Sequence, residues 1–439
     1  MKGKYKFCLA AVFACLSAGC TEVDLCEEAS HPHVASLKVN YEWGDYASEK
    51  PEQMYLVAAR ILNTYHCCFT TRAEDGAFLM PAGDSEKPDV PDVPEVPDTP
   101  DTSDGSGSSD GTGNSALPDA SGKTDAAEEP EPPATPEEPE NLVPQDETPV
   151  LGGEYFMMAF TKDDERLKVL NLQEYLEDPS VSVKEIRLCN ELLKEEDYPS
   201  LEPDAEDKEK VWMDFNPGYK FVSSPGRVFV SRVNYAKFTV GKTYTQTFVP
   251  SALTQRIFFT FTMDFDNSGI GNESLIVEPS QLYLEIAGVI PEVGLADGLL
   301  YTNSLRRMFL TTEEDGVKTE TDGNGRVKTI TYKGYIDAFG LMPGPDIHAI
   351  SGPGILRLAM KVTLSDGGER TIRTSCNISS EIAEANLTKA TGYSNIREKV
   401  VDEGTVRVSH NIQINAKKVI AGNSDGVKGW DEAFVDVDI

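Results

Sequence analysis

Apolar and polar positions alternate through most of this chain. In RIFFTFTMDF, Ile257, Phe259, Phe261, Met263 and Phe265 fall at every second position. In ILRLAMKVTL, Leu356, Leu358, Met360, Val362 and Leu364 alternate with Arg357, Lys361 and Thr363. A period of two places such residues on one face of a strand, so both segments are predicted as half-buried strands. VASLKVNYEW has the same form, with Ala35, Leu37, Val39, Tyr41 and Trp43 on one side. MYLVAARIL, GEYFMMAF, RVFVSRV, KTYTQTFV, QLYLEIAGV, VRVSHNIQI and the terminal FVDVDI are further strand candidates. VKTETDGNGRVKTITY and VTLSDGGERTIRT set Asp-Gly and Gly-rich turns between alternating arms, as β-hairpins do. Helical spacing is confined to LNLQEYLEDP and VSVKEIRLCNELL, both before residue 200. Many short strands separated by turns predict an all-β protein of antiparallel sandwiches.

Residues 84–149 break this pattern. They hold 13 of the 27 prolines and no Phe, Trp or Tyr, too little apolar surface to offset the entropy of ordering. The tract is therefore predicted to be a disordered, acidic, Pro-rich insertion. DVPDVPEVPDTPD repeats every three residues, the period of polyproline II, and gives way to a Gly and Ser stretch before EEPEPPATPEEPE.

Charge is concentrated in the same place. The whole chain carries −33, from 40 basic and 73 acidic residues; between Asp84 and Val150, 19 Asp or Glu face 2 Lys, a net of −17. A chain without a clustered positive footprint is not expected to bind nucleic acid or to grip anionic lipid headgroups directly.

The first nineteen residues read as an export signal. Lys2, Lys4 and Lys6 precede an apolar run from Phe7 to Leu16, and Ser17, Ala18 and Gly19 form a small-residue cleavage region ending on Cys20. The apolar run is too short to span a bilayer, and no later stretch reaches eighteen apolar residues. A cleavage region that ends on cysteine resembles a bacterial lipobox, in which that thiol carries lipid, although Leu16 stands one place further from Cys20 than is usual. Cys20 is thus the expected lipidation site, and acyl chains at about 0.8 kcal/mol per buried methylene make a durable anchor.

Once Cys8, Cys15 and Cys20 are accounted for, Cys26, Cys67, Cys68, Cys189 and Cys376 remain. An odd number with one vicinal pair gives no complete disulfide framework, and these residues are read as buried small hydrophobes. Cys26, His31 and His33 cluster near the start, but no CxxC or HExxH completes a zinc set; His31-Pro32-His33 is read as the lead-in to the first strand. No metal and no cofactor are expected. Gly422 to Gly426 matches GxSxG, yet no histidine follows His410, so it is read as a Gly-rich loop. Asp264, Asp266, Ser268 and Gly269 begin like a calcium loop, but the twelfth position is Leu275 where Glu is needed. His410 shares parity with Val406, Val408, Ile412 and Ile414 and is read as half-buried. No catalytic residues are assigned, and the chain is expected not to be an enzyme.

DLCEEASHPHVASLKVNYEW, PEQMYLVAARILN, GGEYFMMAF and FVPSALTQRIFFTFTM resemble the fimbrillin-like lipoproteins, in particular the FimB-type family of minor fimbrial anchor subunits of Gram-negative anaerobes. The resemblance covers most of the mature chain outside residues 84–149. It implies two transthyretin-like β-sandwich domains, a lipid anchor in the outer membrane and a part in building or presenting surface fimbriae. It also makes the acidic tract an insertion within the first sandwich. The expected domains are the signal at 1–19, a first sandwich at 20–253 containing the 84–149 insertion, and a second sandwich at 254–439. Fimbrial partners would be engaged by β-strand addition, with Val435, Val437 and Ile439 of the terminal strand as candidate strand-exchange residues. The alternative is a stand-alone surface lipoprotein that binds glycan or another host ligand, using Trp43, Trp212 and Trp430.

Overall fold

The computed structural model describes residues 34–61, 65–81, 142–178, 180–199, 218–268, 275–346, 348–364, 367–408 and 411–416. Cys20, Cys26, His31, His33, Trp212, His410, the 422–426 loop, Trp430, Val435, Val437 and Ile439 lie outside the described residues, as does 82–141 of the acidic tract. The chain divides into one unit comprising 1–78 and 145–439 and a second, Leu79–Pro144.

Before residue 254 the strands are β1 (Val34–Tyr41), β2 (Gln53–Arg60), β3 (His66–Arg72), β4 (Phe78–Pro81), β5 (Leu142–Gln145) and β6 (Thr148–Leu151). They continue with β7 (Gly153–Lys162), β8 (Leu167–Leu170), β9 (Arg187–Asn190), β10 (Phe229–Phe238), β11 (Thr243–Phe248) and β12 (Ser251–Ala252). After it come β13 (Gln255–Asp266), β14 (Leu275–Ile290), β15 (Glu292–Gly294), β16 (Leu299–Tyr301), β17 (Arg306–Phe309), β18 (Thr311–Thr321) and β19 (Val327–Ala338). The last are β20 (Gly340–Leu341), β21 (Ile355–Leu364), β22 (Glu369–Asn377), β23 (Thr388–Ala390), β24 (Ile396–Lys399), β25 (Glu403–Arg407) and β26 (Ile412–Asn415). Two six-residue helices, α1 (Leu172–Glu177) and α2 (Ser379–Glu384), complete the regular structure. The protein is all-β, as the alternation predicts.

In the first half, a small sheet β11-β1-β6 faces a larger one in which β12, β10, β7, β2 and β3 are successive neighbours. Ala35, Leu37, Val39, Tyr41 and Trp43 are all buried, and their rings link the two layers. Tyr41 lies 5.8 Å from Phe248 and shares a 2.7 Å hydrogen bond with Thr71, while Trp43 meets Phe229 edge-on at 5.2 Å. The larger sheet is buried on its other face too, which explains the unbroken apolar runs in β2 and β7. There Val57, Ala59, Met158 and Phe160 pack on Leu167, Ile186, Leu188, Val293 and Leu300.

In the second half, the sheet β18-β19-β13-β25 faces β17-β14-β21-β22 across one core. Ile257, Phe259, Phe261, Met263 and Phe265 supply one wall, and Leu284, Ile286, Leu356, Leu358 and Met360 the other. Each half repeats one motif. Its opening strand lies between an antiparallel neighbour and a parallel one: β1 between β6 and β11, β13 between β19 and β25 with β26. A fifth sheet, β23-β24-β16-β15-β9-β8, mixes strands from both sides of residue 254.

Three expectations need correction. VSVKEIRLCNELL forms no α-helix; a single 3₁₀ turn at Val183–Glu185, held by a Ser182/Glu185 capping box, leads into β9. Ile186, Leu188 and Asn190 are buried at a period of two, and pairing with β8 and β15 overrides the local helical preference. The acidic tract was drawn too long, because 142–145 and 148–149 lie in strands. Thr148 and Val150 are buried beside β1, and the Pro-rich average hid these few apolar positions. Arg357 does not face solvent but is fully buried, since residues 192–199 and 218–222 cover that face of β21 with Tyr198 and Phe221.

The cysteine reading stands where it can be seen. Cys67, Cys68, Cys189 and Cys376 are free and half-buried or buried. Neighbouring strand positions aim at opposite faces: the Cys67 thiol donates to the Ala58 carbonyl, while Cys68 packs into the second core. Burial pushes the Cys67 and Cys68 thiols up to about 12.

Candidate functional site

A cluster of charged side chains lies beside the 250–254 link, drawn from both sides of it. Tyr46 and Glu49 follow β1, Arg227 leads into β10, Arg256 opens β13, Asp337 closes β19, and Lys399, Asp402 and Glu403 come from β24 and the start of β25. Glu49 Oε2 lies 3.0 Å from Arg227 Nε and 3.3 Å from Arg256 Nη1. Arg256 also donates twice to Asp337, at 2.9 and 3.0 Å. Across the seam, Arg227 donates to the Asp402 carbonyl at 3.3 Å and to the Glu403 carboxylate at 3.5 Å. The Tyr46 hydroxyl donates to Asp402 Oδ2 at 3.1 Å. Lys399 bridges Asp402, at 2.6 Å, and the Ala252 carbonyl of β12.

The Arg227 side chain is only 4% exposed, so its charge needs these partners. Hydrogen bonding to Asp337 raises the Arg256 guanidinium further above its ordinary range. Burial opposes the charged form of Asp402, yet hydrogen bonds from Lys399 and Tyr46 outweigh it and hold the carboxyl below its usual value. A cleft of about 350 Å³ opens beside the cluster, lined among others by Trp43, Tyr46, Arg227, Pro250 and Asp402. Its acids face guanidinium, ammonium or hydroxyl partners, an arrangement suited to clasping distant stretches of the chain together. The alternation of strand residues gave no sign of this cluster, because its members are loop and strand-end residues far apart in the chain, Tyr46 and Asp402 by 356 positions.

The clasp yields a pH prediction. The Asp402 carboxyl is lower in the folded chain than in the unfolded one, so its stabilisation is complete above the unfolded value and disappears as pH falls through the folded one. Asp402 is largely exposed, and Asp402→Asn is expected to cost less than about 1 kcal/mol at pH 7. As pH falls below an ordinary carboxylate pKa of about 4, the gap should narrow, closing only once pH has passed the lowered folded value. Urea midpoints of both proteins at pH 7 and pH 3 check this; a gap of constant size would refute it.

The structure disperses the other candidates. Asp264 Oδ2 accepts from Asn411 at 2.7 Å and Gln413 at 3.1 Å, while Asp266 caps the Ser268 backbone. Both therefore serve the β13 end and its turn. Among the described residues, no group of His, Cys, Asp and Glu is placed to hold a metal ion. Trp43 belongs to the core, its Nε1 donating to the Ala73 carbonyl at 2.8 Å. Among the described residues, no helix is long and apolar enough to cross a membrane.

No family model matches the sequence, and no curated protein matches it. Several solved structures are similar to the chain. One is a protein of Bacteroides ovatus provisionally described as an adhesin, at 10% identity and a TM-score of 0.40 over 87% of this chain and 92% of that one. A second, described in the same way, is from Bacteroides thetaiotaomicron, at 10% identity and a TM-score of 0.36, covering 89% and 93%. The fimbrial anchor protein Mfa2 of Porphyromonas gingivalis is similar at 10% identity and a TM-score of 0.33, covering 85% and 90%.

Proposed function

We propose that the chain is an outer-membrane surface lipoprotein, held by lipid on Cys20, that serves as a fimbrial subunit or fimbrial anchor. The observation that carries this reading is the predicted export signal ending on Cys20 ahead of a mainly β-stranded body whose strand segments resemble fimbrillin-like lipoproteins. The body is two sandwich domains joined near 253–254, and it works by adhesion and assembly, without catalysis. Fimbrial partners add through main-chain pairing at a sheet edge, with Val435, Val437 and Ile439 of the last strand as the exchanged face. The glycan-binding alternative gains nothing from Trp43, whose ring is enclosed between the sheets.

An immunoblot of unboiled outer-membrane and sheared surface fractions from the native host tests the proposal, comparing wild type with Cys20→Ala. The expected result is a high-mass ladder that resists SDS in wild type and leaves the membrane in the variant. A single monomer band in wild type would contradict assembly.

A further inference from the structure

One end of the first sandwich differs from the rest of this acidic surface. Nine large apolar side chains stand exposed among the described residues, and three of them, Ile61, Tyr235 and Val240, gather here at 49%, 55% and 46% exposure. Their closeness follows from the bonds around residues 152–154. The Ile61 amide donates to the Glu154 carbonyl at 2.8 Å, and the Tyr235 hydroxyl donates to the Glu154 carboxylate at 2.7 Å. A Cβ placed on Gly152 would meet the Val240 side chain. Tyr235 is turned outward by a bulge, since the pairing of β10 with β7 shifts between Val233 and Ala236.

The charge here is also unusual. Lys237 lies 3.4 Å from Glu154, and Lys242 is exposed with no ion pair among the described residues. A tyrosine with its ring exposed and its hydroxyl bonded, flanked by aliphatic and lysine side chains, has the composition of a surface that rests in a lipid headgroup layer. The expectation that an acidic chain avoids lipid holds for the average, not for this end.

Position supplies the second argument. The described chain begins at Val34, and the Gly241 amide, next to Val240, donates to the Val34 carbonyl at 2.9 Å. Cys20 is fourteen residues before Val34, a reach of at most about 50 Å. A lipid on Cys20 by itself does not fix which way the body points. We infer that Ile61, Tyr235, Val240 and Lys242 form a membrane-resting face that settles on the bilayer beside the anchor and fixes which way the body points. The inference rests on the proposed lipid anchor at Cys20.

Hydrogen exchange of the lipid-bearing full chain in POPC:POPG vesicles, against the Cys20→Ser chain free in solution, tests it. Amides of 59–61 and 233–242 should exchange about tenfold more slowly on vesicles. The triple change Ile61→Ser, Tyr235→Ser, Val240→Ser should abolish that slowing while the protein stays vesicle-bound. Equal rates in vesicle-bound and free protein would overturn the membrane-resting face and leave the anchor intact. If wild type carries no lipid, the anchor reading fails, and the same amides of the Cys20→Ser chain are followed with vesicles added; unchanged rates there overturn the face itself. Slowing that needs a second protein molecule and no lipid would assign the patch to self-association and overturn the inference.

Discussion

Glu285→Ala is expected to destabilise the protein by about 3–5 kcal/mol, the largest effect of any single charge removal here. Glu285 on β14 stands between two arginines in one sheet, with its Oε2 3.4 Å from Arg307 Nη1 and its Oε1 3.9 Å from Arg357 Nη1. All three side chains are 0% exposed. The Phe221 ring closes over the Arg307 guanidinium at 4.0 Å and stacks on Phe309 at 4.2 Å. Removing the carboxylate takes away the anion that both buried guanidinium groups face, and the loss of that attraction out of water is what costs stability. The sign reverses when all three are replaced together. Glu285→Leu with Arg307→Met and Arg357→Met should be neutral or stabilising, because desolvating three ions consumes most of what their attraction returns. Urea titrations of the two variants check the pair of outcomes. A harmless Glu285→Ala would show that the arginines find other compensation when the carboxylate is gone.

Gly76→Ala should be the most damaging change of a single methyl group, with a loss of about 3 kcal/mol from a strained backbone and a clash together. Gly76 has φ +74°, and a Cβ on it would run into the Val39 carbonyl in the middle of β1. The turn cannot retreat easily. The Gly76 amide donates to the Arg72 carbonyl at 2.9 Å, Asp75 accepts from the Ala77 amide at 3.1 Å, and Ala73 holds the Trp43 indole. Thermal unfolding of Gly76→Ala against Gly241→Ala makes the comparison, since Gly241 has the same φ of +74° and open space around its Cα. The difference between the two isolates the clash. Equal melting temperatures would mean that β1 yields.

Much of the fold was readable one strand at a time. The alternating residues of β1 and β13 are buried as predicted because each of these strands has one face toward a core and needs no knowledge of its partners. The same rule failed at β21, where Arg357 alternates with leucines and is buried on the face opposite theirs, because what covers the second face of a sheet is decided by a segment more than a hundred residues away. It failed again at 181–193, where the local spacing suits a helix and the available sheet edges of β8 and β15 win. Of the charge clasp nothing was legible, since Tyr46, Glu49, Arg227, Arg256 and Asp402 share no spacing and are brought together only by contacts between distant loops and strand ends.

By itself, then, the sequence determined the all-β class, the acidic Pro-rich composition of one tract and the inward face of the main strands. Each of these depends on composition or on a period of two, which are properties of short stretches of chain. Tertiary structure decided the sheet shared between the halves, the buried Glu285 with its arginines, the space that Gly76 must leave for β1, and the apolar, lysine-bearing end beside Val34. These depend on which distant segments meet, and pairing between sheets is set by burial across the whole molecule rather than by any local pattern.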